Sequence, residues 1–313
     1  MIEITRYEPS HQAAWDTLVR QSRNGTFLLR RGYMDYHSDR FDDCSLMAWH
    51  EGRLVTVLPA NREADTLWSH HGLTYGGWVM PLKHFDVTVM MQVMDAACQW
   101  MHGQGLRTLV YKPVPHIYHS YPAEEDLYAL FRHGARLTES NVSTTIDLAC
   151  PLPPDRGNRS GANAARRAGI TVVESHDWER YWRLLDDLLR QRYHTRPVHT
   201  LQEMLLLQSR FPDNIKLYTA TLQGELLAGV VMYLTGTTAH CQYIAASPHG
   251  KDSKALALLF SHLITCTGQA GYRYFDFGIS NENHGLYLNE GLAQQKARLG
   301  GRAIVYNTYQ ITL

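Results

Sequence analysis

Apolar and polar positions alternate along residues 45–58, break at Glu51-Gly52 and then resume. This is the pattern of two strands joined by a two-residue turn. Residues 216–229 repeat it around Gln223-Gly224. Gly52 and Gly224 stand where a positive φ is cheap only for glycine. Helical periodicity precedes each hairpin, over 11–21 and 178–192, each time with a Trp and Leu stripe. After each hairpin the pattern predicts a strand, at 66–70 and 238–245, a glycine-bearing turn, and a helix, at 87–102 and 253–267. Gly103 and Gly105 close the first of these helices, and Gly268 and Gly271 the second, as a left-handed C-terminal stop requires. Strand-like runs at 107–112 and 272–278 follow. A last helix is expected to run into Ala135-Arg136-Leu137 in one half and Ala297-Arg298-Leu299 in the other, with a final strand after each.

The offset between matched positions drifts only from 172 at the hairpin glycines to 162 at the Ala-Arg-Leu triplets. The chain therefore reads as two copies of one αβ unit. Residues 151–157, with three prolines and a glycine, form the expected linker. The units would be 1–150 and 151–313, each with a mixed sheet in an α/β, α+β-like arrangement.

Composition narrows the classes. Of 313 residues 44% are hydrophobic and 19% charged, enough for a buried core and wrong for a disordered chain. Thirty basic residues balance thirty acidic ones, which argues against DNA or another polyanion as partner. No apolar run approaches the roughly 20 residues of a membrane helix, so no membrane insertion is expected. The first residues lack the charged-then-apolar plan of a signal peptide. Five scattered cysteines without a CxxC pair point to a reducing cytoplasm rather than to a disulfide framework or zinc ribbon. No metal is expected: His70 and His71 are adjacent on a strand and face opposite ways, and no HExxH spacing occurs.

Three blocks carry a family resemblance. The first is Ser69-His70-His71-Gly72-Leu73-Thr74-Tyr75-Gly76-Gly77. The second is Pro197-Val198-His199-Thr200-Leu201 with Arg210-Phe211-Pro212. The third joins Tyr274-Phe275-Asp276-Phe277-Gly278, Leu288-Asn289-Glu290-Gly291-Leu292 and Lys296-x-x-Leu299-Gly300-Gly301-Arg302. With the element order above, they resemble tandem GNAT acyltransferases related to the FemABX peptidyl- and aminoacyltransferases. The resemblance implies acyl transfer from acetyl-CoA or another acyl-CoA to the amine of a small metabolite or of a sugar or cell-envelope precursor. Its alternatives are a FemABX-type aminoacyltransferase taking aminoacyl-tRNA to a peptidoglycan-like precursor, and a catalytically silent tandem fold that binds a small molecule or partner.

In GNAT proteins a glycine-bearing loop before the central helix holds the pyrophosphate on backbone N–H groups. Ser247, Gly250, Lys251, Asp252 and Ser253 stand at that place here. A Tyr that protonates the leaving thiolate has its match in Tyr287, within Asn281…Leu286-Tyr287-x-x-x-Gly291-Leu292. For the base that takes a proton from the acceptor ammonium, Glu282 is the first choice, with Asp276 and His240 next. Asp276 is expected to face the last helix together with Glu282 and Glu290. Gln242, on the His240 strand, and Asn283, in the loop after Asp276, are candidate acceptor contacts. So are His71 and Tyr75 in the glycine-rich block. The arginine-rich run 156–167 reads as a solvated inter-domain segment with a short helix at 162–168.

Overall fold

The computed structural model describes residues Met1–Leu313, with every side chain except that of Tyr193. The chain forms two units. The first is Met1–Asn141 with Asn283–Leu286 and Val305–Leu313; the second is Val142–Glu282 with Tyr287–Ile304.

Unit 1 begins with β1 (Ile2–Arg6), α1 (Gln12–Arg20), α2 (Arg31–Met34) and β2 (Asp42–Asp43). The hairpin β3 (Leu46–His50) and β4 (Arg53–Leu58) joins β1 in an antiparallel sheet. Next come β5 (Asn61–Glu63), β6 (Thr66–Trp68), α3 (Val87–Gly103), β7 (Thr108–Tyr111), α4 (Glu125–Arg132) and the 12-residue β8 (Arg136–Asp147). Asp86 caps α3 by accepting from the Thr88 and Val89 amides. The helix then presents Met90, Val93, Met94, Ala97 and Met101 to the core at helical spacing.

Unit 2 contains α5 (Arg156–Arg167), β9 (Thr171–Ser175), α6 (Trp178–Tyr193), α7 (Leu201–Arg210), β10 (Ile215–Leu222), β11 (Glu225–Leu234) and β12 (Thr238–Ala246). It continues with α8 (Pro248–Asp252), α9 (Ala255–Gln269), β13 (Tyr274–Ile279), β14 (Asn281–Glu282), β15 (Tyr287–Leu288) and α10 (Glu290–Ala297), and ends with β16 (Arg302–Thr312). Its strand order is β8-β13-β12-β11-β10-β9. Leu258, Leu259 and Leu263 of α9 enter the same core as Val230, Met232 and Phe275 from the sheet.

The internal repeat holds at the level of hydrogen-bond register. Leu46 pairs Leu58, and Tyr218 pairs Val230; Trp49 pairs Leu54, and Thr221 pairs Leu226. Every one of these positions is offset by 172. The register slips at Ala48/Trp49 in one hairpin and at Ala220/Thr221 in the other, the same bulge in both units. Both turns have two positive φ values, 50° and 74° at Glu51-Gly52 and 49° and 82° at Gln223-Gly224. These are turns whose twist matches that of the strands.

Three expectations change. The Ala-Arg-Leu triplets are not equivalent: Arg136 opens β8, whereas Ala297 ends α10. The turn glycines Gly134 and Gly300, both at positive φ, mark the corresponding places instead. The units part at Asn141/Val142, inside β8, and not at the proline linker, because a long strand runs on through that point. For the same reason the second unit does not run to the end of the chain: Val305–Leu313 counts with unit 1 and pairs β7 there. Finally, α5 starts at Arg156 under an Asp155 cap and buries Ala162 and Ala165 in the unit 2 core, so it is not a free inter-domain helix.

Candidate active site

The parallel strands β12 and β13 pair at only three positions, Thr238↔Tyr274, Ala239↔Phe275 and His240↔Asp276. Pairing stops there although β12 runs on to Ala246 and β13 to Ile279. Two irregularities part the strands. Gly278 takes φ +77° where the register of β13 against β8 slips, and β12 bulges between Cys241 and Tyr243.

At the point of parting, a polar row crosses three strands in register: Thr145, Asp276, His240. Phe275 and Phe277 turn to the core, so Asp276 faces the other side of the sheet; it is fully buried nonetheless. Its carboxylate accepts from His240 Nδ1 at 2.6 Å and from the Ser143 and Thr145 hydroxyls, each at 2.6 Å. Burial works to raise the Asp276 pKa, but the hydrogen bond and charge of His240, with the two hydroxyls, hold it below the usual carboxylate value. An ionised carboxylate only accepts, so Nδ1 carries a hydrogen, and in the neutral ring it is Nε2 that keeps the lone pair. The His240 side chain is 12% exposed, and among the described residues its Nε2 has no partner. An imidazole held in one tautomer by a buried carboxylate, with the other nitrogen open, is equipped to take a proton.

Lys296 fixes the bend beside this pair. Its ammonium donates to the carbonyls of Gly278 (2.8 Å) and Ile279 (2.7 Å) and to Ser280 Oγ (3.1 Å), which uses all three of its donors. Burial brings its pKa down to about 8 against the opposing pull of Asp276.

The β12 bulge also shifts the strand's parity. Ala239 and Cys241 enter the core before it, Ile244 and Ala246 after it. Tyr243 thereby comes to the His240 face, where its hydroxyl meets His199 Nδ1 at 2.6 Å and its ring packs edge-on against Trp182. Gln242 is the extra residue of the bulge, half-buried beside them. His240, Gln242 and Tyr243, with His199 from the stretch before α7, are the groups brought together here.

Other sequence candidates fall elsewhere. Asp276 does not face α10 with Glu282 and Glu290; it turns to β12 and β8. Glu282 and Tyr287 pair across the small β14–β15 hairpin, both exposed, Tyr287 at 57%. Asn283, at φ 49°, is in the turn of that hairpin. None of the three bonds to the Asp276–His240 pair.

In the expected phosphate loop, Ser247 caps α8 and accepts from the Gly250 amide at 3.0 Å, while the Lys251 and Ser253 amides donate to the Ser247 and His249 carbonyls. These N–H groups are consumed within the chain, and Asp252 is the last residue of the short helix. Gly250 serves packing: a Cβ there would be 2.0 Å from the Leu227 carbonyl oxygen. Gly250→Ala should therefore lower stability by about 1–3 kcal/mol, read by urea unfolding; an unchanged midpoint contradicts this packing role. Unpaired amides lie one turn further on. Among the described residues, the Ala255 and Leu256 N–H groups at the start of α9 have no protein acceptor, after Lys254 in a left-handed conformation (φ 61°).

Unit 1 fills the corresponding opening with its own chain. β6 and β7 also pair at three positions, Thr66↔Thr108, Leu67↔Leu109 and Trp68↔Val110, so Trp68 and Val110 stand where unit 2 has His240 and Asp276. The glycine-rich block then folds back: Ser69 N bonds Val110 O, Lys112 N bonds Ser69 Oγ, and Gly76 N bonds Lys112 O. Tyr75, expected at the acceptor, is 2% exposed, its hydroxyl on Thr26 Oγ1 at 3.1 Å; it is a core residue. His71 is exposed, stacked on Trp68 and 2.8 Å from Glu63.

His70 is buried at φ 60° against His37, and Nδ1 has no partner; burial and the neighbouring His37 press its pKa to about 3. Below about 6.5 the unfolded chain takes a proton that the folded chain refuses, so this residue lowers stability as pH falls towards 3. Buried Asp126, raised to about 7, works in the opposite sense. The difference between parent and His70→Asn isolates the histidine, and Asn tolerates the left-handed backbone. From pH 7 to 5 the parent should lose about 2 kcal/mol relative to the variant in urea unfolding; parallel pH curves contradict this.

The acetyltransferase (GNAT) domain family model matches residues 156–284, so the second unit carries a GNAT acyltransferase domain. Among solved structures, FemX is similar with TM-score 0.72 over 99% of this chain and 97% of its own, at 12% identity. The C-terminal domain of a putative lysylphosphatidylglycerol synthetase from Agrobacterium fabrum gives 0.63 over 97% and 92%, at 14% identity. A tandem GNAT protein from the clavulanic acid biosynthesis pathway gives 0.52 over 100% and 98%, at 12% identity. No curated protein sequence matches the chain. These likenesses span both units, and at such identities they establish the fold alone, a tandem GNAT-like one shared with FemX. Among the described residues no cluster of three or more His, Cys, Asp or Glu is placed to hold a metal, and no helix is long and apolar enough to cross a membrane.

Proposed function

We propose that the chain is an N-acyltransferase that moves an acyl group from acyl-CoA to the amine of a small metabolite or of a sugar or cell-envelope precursor. The observation that carries this is the Asp276–His240 pair at the point where β12 and β13 part, inside the GNAT-matched segment. His240 Nε2 takes a proton from the acceptor ammonium, and the free amine attacks the thioester carbonyl carbon. A tetrahedral intermediate forms, its nitrogen loses its surplus proton to solvent, and it collapses with cleavage of the C–S bond; the imidazolium then returns its proton to the leaving thiolate. Asp276 keeps the imidazole in the reactive tautomer and steadies its charged form. The donor's phosphates belong at the Ala255 and Leu256 amides, where the helix dipole of the 15-residue α9 favours negative charge. Lys251 and Lys254 stand at that end of the helix.

One observation favours a second donor. The FemX likeness covers nearly all of both chains, and the FemABX resemblance implies aminoacyl-tRNA and a peptidoglycan-like acceptor. Either donor would use the same base. Calorimetry with acetyl-CoA, CoA and an aminoacyl-tRNA tests the choice, followed by thiol release against a panel of amines. Binding of acetyl-CoA and amine-dependent thiol release support the CoA reading. Binding of the aminoacyl-tRNA alone overturns it in favour of the second.

A further inference from the structure

A cavity of about 270 Å³ opens in unit 2 between α5, α9 and β9, on the side of α9 turned to α5. Its shape follows from the helix pair. Gly161 of α5 brings the helices together at one end, where a Cβ would be 3.3 Å from Lys254 Cβ, and Ala162 and Ala165 continue the close approach. Past Ala165 the helix ends in Arg166 and Arg167, and the gap between the helices holds the cavity. Leu258, Ser261, His262 and Thr265 line it from α9, spaced i, i+3, i+4 and i+7 on one helix face.

The lining divides by chemistry. Ile170 and Leu258, both buried, form an apolar floor with half-buried Val172. Arg166, His262 and Ser261 form a donor rim without any acidic residue. Arg166 spends Nη1 on Asn163 Oδ1 (2.9 Å), which fixes the guanidinium and leaves its other N–H groups. Among the described residues, Ser261 Oγ and the His262 ring have no hydrogen-bond partner. Thr265 gives its hydroxyl hydrogen to the Ser261 carbonyl, so its oxygen adds only acceptor capacity.

We infer that this cavity binds a small carboxylate with a branched-aliphatic or aromatic body. A single guanidinium matches a carboxylate in bidentate fashion, and the Ser261 hydroxyl supplies a further donor to the same group. The apolar floor takes the body of the ligand. The volume lies just under the roughly 300–1,000 Å³ of drug-sized ligand pockets, which fits a short metabolite. The mechanism proposed for the Asp276–His240 pair uses none of these residues.

Calorimetry on the full chain with 4-methylpentanoate and phenylacetate tests the inference. At least one of them should bind with Kd below about 1 mM. Arg166→Gln should weaken that binding at least about tenfold, and Thr265→Trp, which fills the cavity from an exposed helix position, should abolish it. His240→Gln should bind as the parent does, which separates this site from the proposed catalytic one. Absence of binding to the parent, or equal binding by both cavity variants, overturns the inference. Tighter binding of butyl phosphate than of either acid overturns the carboxylate assignment.

Discussion

His240→Gln should lower kcat by on the order of 10²–10⁴-fold and leave donor affinity unchanged. That is the usual size of a general-base contribution, and the side chain meets the acceptor's proton rather than the donor's phosphates. Asp276→Asn keeps the shape and the two hydroxyl donors, yet an amide can turn its NH₂ to His240 and select the other tautomer. A loss of similar size is expected from it. Glu282→Gln and Tyr287→Phe, on the exposed β14–β15 hairpin, should stay within a few-fold of the parent. If these two carry the large losses and His240→Gln is near-neutral, the acid and base lie on the hairpin.

The second large effect is structural. Lys296→Met should cost about 1–3 kcal/mol, measured as the shift in equilibrium urea unfolding, because it takes a buried, fully used donor from the Gly278 and Ile279 carbonyls and from buried Ser280. Turnover should fall with it, since the bend in β13 that ends the strand pairing loses its tie. The same unfolding midpoint as the parent would show that water replaces the ammonium at no cost. Lys112, whose ammonium meets the Leu73 carbonyl at 2.5 Å and is likewise lowered to about 8 by burial, gives unit 1 a comparable tie.

What was legible in the sequence is what depends on local rules. The hairpin glycines and the Trp and Leu stripes are set by φ and by periodicity and stand where expected in both units; of the helix-ending glycines, Gly105 and Gly271 take the left-handed stop, while Gly103 and Gly268 are still helical. Matching by similar residues alone went astray at Ala-Arg-Leu, where one triplet straddles a turn into a strand and the other ends a helix. Gly250 was read as a phosphate glycine because glycine in a loop before a helix has two uses, ligand approach and backbone packing. Only the 2.0 Å approach to Leu227 tells them apart. Tyr75 and the glycines around it had the composition of a ligand loop, and the composition of a plug is the same.

The Asp276–His240 pair was half visible. Both residues stood among the candidates, but their partnership comes from a parallel register between segments 36 residues apart. Ser143 and Thr145 were missed because they lie on β8, before the proline linker that marked the expected unit boundary. Their alternate spacing, with Ile146 turned to the core, was the available signal: two hydroxyls on one face of a strand next to a buried acid. Tyr243 could not be placed on the His240 face from an unbroken period of two, since the bulge that moves it there leaves no mark in composition.

The central claim is that acyl transfer takes place in the second unit where β12 and β13 part, with His240 as base. A crystal structure of the full chain with a non-reactive thioether analogue of acetyl-CoA tests it most directly. The account predicts the pyrophosphate on the Ala255 and Leu256 amides and the acyl carbon within about 5 Å of His240 Nε2, close enough for an attacking amine to touch both. The analogue seated against unit 1, or in unit 2 with its acyl carbon at the β14–β15 hairpin and far from His240, would contradict it.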